Sequence, residues 1–290
     1  MSVPSVLITG ATGKTGKLLA RELLRRGMRV RAGSRSVESA RSLLPGVEVV
    51  AMDYRVPETV RAAMEGMNRL YLVTPGGSEQ VEQAWIAVQA ARQAGVEHIT
   101  KLGSLQPARG PVIQVERWCR MTEEMVERSG IGWTHLRPSW FNQNFTEYIF
   151  APQVKLGLIL APIGEGRAGW IDCRDIADVA AVTLADPGAH AGKAYALTGP
   201  ELIGMREIIE ALNRASGRKI RYYNAPSGPQ RILARLSGFP ARDIDAMMAL
   251  LGKLKDGWLS DVTDDVELIL GRPAIRFERF AQDSAAALQR

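Results

Sequence analysis

With 290 residues, 46% of them hydrophobic and 23% charged, the chain is expected to bury one large α/β domain, or one domain with a smaller lobe. Its net charge of +6 comes from 37 basic and 31 acidic residues dispersed along helix faces, which argues against nucleic acid and fits an attraction for anionic cofactors. Apolar runs such as Leu156 to Ile163 are too short to span a bilayer and no signal pattern precedes the first strand, so no membrane partner and a cytoplasmic location are expected.

The first predicted element is the apolar strand Val6 to Thr9, which breaks into Thr9-Gly10-Ala11-Thr12-Gly13-Lys14-Thr15-Gly16. Such a strand, opening through closely spaced glycines into a helix, suits a dinucleotide pyrophosphate, although the spacing is GxxGxxG and not GxGxxG. Gly10 lets the chain turn, Gly13 removes a side chain where backbone approaches phosphate, and Gly16 lets the helix pack on the strand. The amphipathic helix Lys14 to Arg26 then aims its free N–H groups at the anion, with Thr12, Lys14 and Thr15 adding hydroxyls and a cation.

The second strand, Arg29 to Gly33, ends in Ser34-Arg35-Ser36 with no acid. A carboxylate there would accept from the ribose hydroxyl of NAD and repel the ribose phosphate of NADP. Arg35 can stack on adenine and pair with that phosphate while Ser34 and Ser36 donate to it, so NADP(H) is preferred over NAD(H). A solvated arginine at a helix start is the plainer alternative.

Further on, helices are predicted at Ser36 to Leu44, Pro57 to Met64, Glu79 to Ala94 and Val115 to Ser129. Strands are predicted at Val47 to Met52, Arg69 to Thr74, His98 to Leu102 and Trp133 to Arg137. Regular alternation argues for a doubly wound parallel sheet of the Rossmann type, order 3-2-1-4-5-6, with the cofactor over the carboxyl ends of strands 1 and 4. After Pro138 the alternation loosens into loops, a helix from Arg174 to Ala185, a strand near Ala194 to Leu197 and a helix from Gly204 to Ser216. The expected division is an NAD(P)-binding domain over 1–150 and a smaller substrate-binding portion over 151–290, with about 170–200 returning to the first.

Cys119 and Cys173 offer neither metal-ligand spacing nor a disulfide framework, His98, His135 and His190 have no partner at readable spacing, and no metal is expected. Aromatic residues gather after the fifth strand, where Trp118, Trp133, Trp140, Phe141, Phe145, Tyr148 and Phe150 lie. Most are read as core, with Asn142 and Asn144 able to fix a polar group on a flat ligand.

These residues resemble the NmrA-like atypical short-chain dehydrogenase/reductases, the group that includes triphenylmethane reductases, NmrA-type quinone oxidoreductases and ergot-alkaloid dehydrogenases. The likeness is carried by Gly10 to Gly16, Arg31-Ala-Gly-Ser-Arg35, Tyr71-Leu-Val-Thr-Pro75, Trp118 to Glu123, Leu136 to Phe141, Asp175-Ile-Ala177 and Leu197 to Pro200. It implies that Asp53 lies near the adenine amino group, although a helix cap is an equal reading, and that Thr74, Pro75 and Gly103 line the nicotinamide side. It implies further that Ser104 stands where typical members keep an oxyanion-binding serine, and that Trp140 and Phe141 roof the nicotinamide. The Tyr and Lys of typical members are replaced by Val115 and Cys119, so Cys119 and Ser104 are the catalytic candidates. Trp118, Cys119, Trp140, Phe141 and Asn142 are the substrate-contact candidates. For Cys119 a small core residue is the plainer reading.

The expected function is NADPH-dependent hydride transfer to a flat, largely apolar aromatic or conjugated acceptor, such as a quinone, an imine or iminium, or a conjugated carbonyl. Two alternatives stay open: an NADP(H)-binding redox sensor without catalysis, and a natural-product cyclase or isomerase. A homodimer is compatible with either.

Overall fold

The computed structural model describes residues 3–106, 110–236 and 240–289. In chain order the first half gives β1 (Ser5–Ile8), α1 (Lys14–Arg25), β2 (Arg29–Ser34), α2 (Val37–Leu43), β3 (Glu48–Ala51), α3 (Pro57–Met64), β4 (Arg69–Leu72), α4 (Gln80–Gln93), β5 (His98–Leu102), α5 (Gln114–Glu127) and β6 (Gly132–Pro138). There follow α6 (Ala151–Lys155), β7 (Leu158–Ala161), β8 (Arg167–Ala168), α7 (Cys173–Ala185), α8 (Pro187–His190), β9 (Lys193–Leu197), β10 (Ile203–Gly204) and α9 (Met205–Ser216). The chain ends through β11 (Arg221–Asn224), α10 (Ser227–Leu236), α11 (Ala241–Lys255), α12 (Asp265–Leu270), α13 (Phe277–Asp283) and α14 (Ala285–Leu288).

The central sheet runs β3-β2-β1-β4-β5-β6-β9. Its first six strands have the predicted order and are parallel throughout. The strand near residue 195, left unplaced by the sequence, is its seventh member. It runs in the same direction as β6, since Gly192 N donates to Trp133 O and Ser139 N to Leu197 O. Helices cover a sheet of this kind on both faces, which is why Val6, Leu7 and Ile8 are all buried and β1 reads as an unbroken apolar run. On one face Leu7, Leu70, Leu72 and Ile99 pack with Val60, Met64 and Ala87 from α3 and α4.

Two compact units result, each with its own core. The first holds Met1–Ser104, Arg117–Arg137 and Ile176–Tyr195; the second holds Leu105–Glu116, Pro138–Asp175 and Ala196–Arg290. The second is built on an aromatic cluster, with Phe145 against Phe150, Trp170 and Phe277 at centroid distances of 5.1, 5.2 and 5.6 Å. It contains two small sheets, β7 with β11 and β8 with β10. It also buries an ion pair between Lys253 and Glu116. Among the described residues no helix is long and apolar enough to cross a membrane.

Candidate functional site

Strand order reverses between β1 and its neighbours β2 and β4, and Ile8 pairs with both Ala32 and Tyr71, so the carboxyl ends of the three strands meet at one edge. A crevice at such a reversal is where doubly wound sheets bind ligands. The turn leaving β1 is fastened there by Thr9, whose hydroxyl donates to Val73 O at 2.8 Å and accepts from Val73 N at 2.7 Å.

Gly10 takes φ +61, a left-handed conformation that side chains other than glycine resist. A Cβ on Gly13 would lie 3.0 Å from Gly10 O, and one on Gly16 would lie 2.4 Å from the same oxygen and 2.7 Å from Ala11 Cα. The glycines therefore hold the turn flat against α1. Gly13 is the N-cap and supplies no side-chain acceptor, the first helical turn carries no acid, and Thr12 and Gly13 are exposed. Backbone N–H groups at this end are thus offered outward with the positive end of the helix, a fit for a pyrophosphate.

Two hydroxyls expected on the cofactor are turned to other work. Thr15 is only 5% exposed and its Oγ1 accepts from Tyr71 OH at 3.2 Å, so the side chain faces inward and anchors α1 to β4. Ser34 Oγ donates to Ser36 O at 3.0 Å and accepts from Ser36 N, closing the turn after β2 with its one proton already used. Short hydroxyl side chains compete for nearby backbone groups in this way, and spacing alone does not reveal it. Arg35 and Ser36 remain exposed at the strand end, and no carboxylate ends β2. Asp53 is taken by Arg55, whose guanidinium and backbone N–H both bond it and hold its carboxyl down to about 2, with Arg35 adding to the effect. It does not cap α3, whose N-cap is Val56. Thr74 is half-buried and Pro75 exposed beyond β4.

Past β5, Gly103 N donates to Leu136 O at 2.8 Å, and a Cβ on Gly103 would come within 3.2 Å of Glu123 Oε1. Gly103 thereby covers a charged layer that the sequence reading missed, and Ser104 beside it is half-buried. Lys101 is 3% exposed, and burial pushes its ammonium below the usual range against the pull of Cys119 and Glu123. Burial alone would raise Glu123, but Arg137 donates to both its oxygens, at 3.0 and 2.8 Å, and holds it low. The signal was a lysine inside the short buried strand His98-Ile99-Thr100-Lys101-Leu102. Glu123, Glu127 and His135 place ligand-type atoms within 4.8 Å of one another. Both carboxylates are nonetheless bound by arginine, Arg137 on Glu123 and Arg120 on Glu127 at 2.7 Å.

Val115 is half-buried and brings no proton, and Trp118 is half-buried on the same helix. Cys119 is 6% exposed with its Sγ 3.9 Å from Gln80 Oε1, a weak donor in a tight place. In the second unit Trp140 packs on Trp170 with centroids 5.5 Å apart, and Phe141 bridges Ile171. Asn142 is wholly buried, its N–H donates to Ile171 O at 2.8 Å, and neither end of its side-chain amide has a partner among the described residues. A buried amide left unmet is costly unless a ligand or water completes it.

The NmrA-like family profile matches residues 4–266. An NAD(P)H azoreductase of Xenophilus azovorans is 35% identical over 283 residues, covering 97% of this chain and 98% of its own. The (4-alkanoyl-5-oxo-2,5-dihydrofuran-3-yl)methyl phosphate reductase of Streptomyces griseus is 32% identical over 285 residues, covering 97% and 98%. Among solved structures, the triphenylmethane reductase of Citrobacter sp. complexed with NADP(H) superposes with a TM-score of 0.81 at 25% identity, covering 97% of this chain and 99% of that one.

Proposed function

The chain belongs to the NmrA-like family, and from that premise we propose an oxidoreductase that draws on NADPH to reduce a flat, largely apolar acceptor: a quinone, an imine or iminium, or a conjugated carbonyl. The observation that carries this reading is the side-chain-free cradle at the start of α1, beside a β2 end that presents Arg35 and no acid. The NAD(P)H azoreductase and the NADP(H)-bound triphenylmethane reductase support the cofactor and the aromatic acceptor class.

The nicotinamide, when bound, supplies the hydride. The α1 N–H groups and Lys14 would hold the pyrophosphate, and Arg35 would pair with the ribose phosphate. In the second unit Asn142 would complete its amide on a polar atom of the acceptor, with Trp140 limiting the access of water. Val115 and Cys119 provide no fixed acid of the usual kind. The acceptors named tolerate this, because their reduced forms hold charge as a phenolate or take the proton from water. Catalysis then rests on positioning.

The test is NADPH oxidation followed at its absorbance maximum across quinones, iminium ions and triphenylmethane dyes. Turnover of at least one class is expected. NADPH binding with no oxidation across the panel would overturn the reductase in favour of a redox sensor. Arg35→Ala should weaken NADPH by about tenfold or more and NADH by no more than about twofold, the range of a charge-assisted pair; equal losses would refute the cofactor preference.

A further inference from the structure

The second unit holds a partly open cavity of about 420 Å³ between the segment Tyr148 to Gln153, the strand β7 and the helices α10 and α11. Pockets of this size hold ring-bearing small molecules. Its walls are side chains such as Phe150, Leu160, Ile244, Met247, Met248 and Leu251. The two methionines give an adaptable surface with a sulfur affinity for aromatic edges.

The polar groups of the wall are few and specific. The outer edge of β7 would present an unpaired peptide at Leu160, but Gln153 Oε1 accepts from Leu160 N and Gln230 Nε2 donates to Leu160 O. Those bonds seal the strand edge and leave Gln230 Oε1 buried without a partner among the described residues. A ligand bearing a hydroxyl or N–H would satisfy that oxygen. Among the described residues of the lining Asp243 is the one acidic group, and none is a lysine, arginine or histidine. Arg231, next to Gln230 in the chain, is paired with Asp245. An anion entering here would lose its hydration with no cation among the described lining residues to replace it and an aspartate beside it.

We propose that this cavity binds a neutral or cationic apolar ring compound carrying one hydrogen-bond donor, and that it discriminates against anions such as phosphate esters and sulfonates. Neither Trp140 nor Asn142 lines this cavity, so it is a second ligand site and its binding does not rest on the reductase reading.

The experiment compares beta-naphthol with the same naphthol bearing a sulfonate, each titrated into the full chain with NADP+ present and read by naphthol fluorescence. The neutral probe should bind about tenfold or more tightly than its sulfonate, the cost expected for an uncompensated charge. Met247→Trp, which fills the cavity, should weaken beta-naphthol by about tenfold while NADPH affinity stays within about twofold. Gln230→Leu should weaken beta-naphthol several-fold and leave naphthalene, which has no donor, unchanged. Should Met247→Trp fail to fold, the half-buried Asp243→Lys keeps the question open to refutation, because it should raise sulfonate affinity by about fivefold or more. Equal binding of the two probes, or beta-naphthol affinity indifferent to these variants, would overturn the site. Selective naphthol binding without any NADPH oxidation would sink only the reductase reading.

Discussion

Lys101 occupies a position that few ammonium groups tolerate. It is 3% exposed on β5, and the hydrogen bond it makes is to its neighbour's carbonyl, Leu102 O at 3.3 Å. Glu123 is already gripped by both arms of Arg137, so removing the lysine would not strand a carboxylate. Lys101→Met should therefore raise the melting midpoint by a few degrees near neutral pH, as replacement of a poorly compensated buried charge commonly does. The sign of its pH dependence follows from the lowered ammonium. The folded chain binds fewer protons than the unfolded one between the depressed value and the ordinary 10.5 of a lysine, so wild-type stability rises with pH across that window. The advantage of Lys101→Met should shrink over the same range. A lower midpoint for the variant, or a difference flat to pH, would show that the lysine holds the layer together. The residue was invisible to a search for Tyr and Lys one helical turn apart, because it comes from a strand and meets α5 through tertiary structure alone.

At the scale of elements, the β1 turn and α1 were legible because glycine chemistry is local. The two later glycines separate experimentally. On Gly16 a Cβ would press on the backbone of Gly10 and Ala11, which cannot yield without moving the turn, so Gly16→Ala should cost about 1–3 kcal/mol and abolish NADPH binding. On Gly13 the contact is milder, 3.0 Å to Gly10 O, and the residue is exposed. Gly13→Ala should melt within a few degrees of wild type yet bind NADPH about tenfold or more weakly. If both variants bind NADPH normally, the turn is not the pyrophosphate cradle. In the same stretch the Thr15 and Ser34 hydroxyls engage Tyr71 and Ser36, bonds that spacing along the sequence does not encode. The seventh strand escaped placement for the opposite reason. β9 pairs with β6 only after the chain has left and returned, a separation that periodicity does not encode.

Over the whole molecule, the interleaving of segments follows from α5 and α7, each of which begins in the second unit and continues in the first. Alternation along the sequence carried the sheet order and said nothing of which histidines the sheet would bury. His98 and His135, on adjacent strands β5 and β6, are 1% and 0% exposed. Burial pushes each down to about 4, Arg69 and His190 adding to the effect on His98 and Glu123 opposing it on His135. Both are thus neutral when folded and titrate near 6.5 when unfolded. The unfolded chain binds more protons between those values, so stability is fully present above about 6.5 and is lost as pH falls toward 4. The loss is at most about 3 kcal/mol per histidine, a large part of the usual stability of a domain. Urea midpoints should fall steeply between pH 7 and pH 5, before most carboxylates protonate. His98 can be replaced without stranding its partner, since Thr134 Oγ1 also donates to His190 O at 2.8 Å. His98→Phe should remove about half of the pH slope over this range, and adding His135→Phe should remove most of the rest. A slope unchanged in the double variant would assign the acid sensitivity to the carboxylate and arginine layer around Glu123.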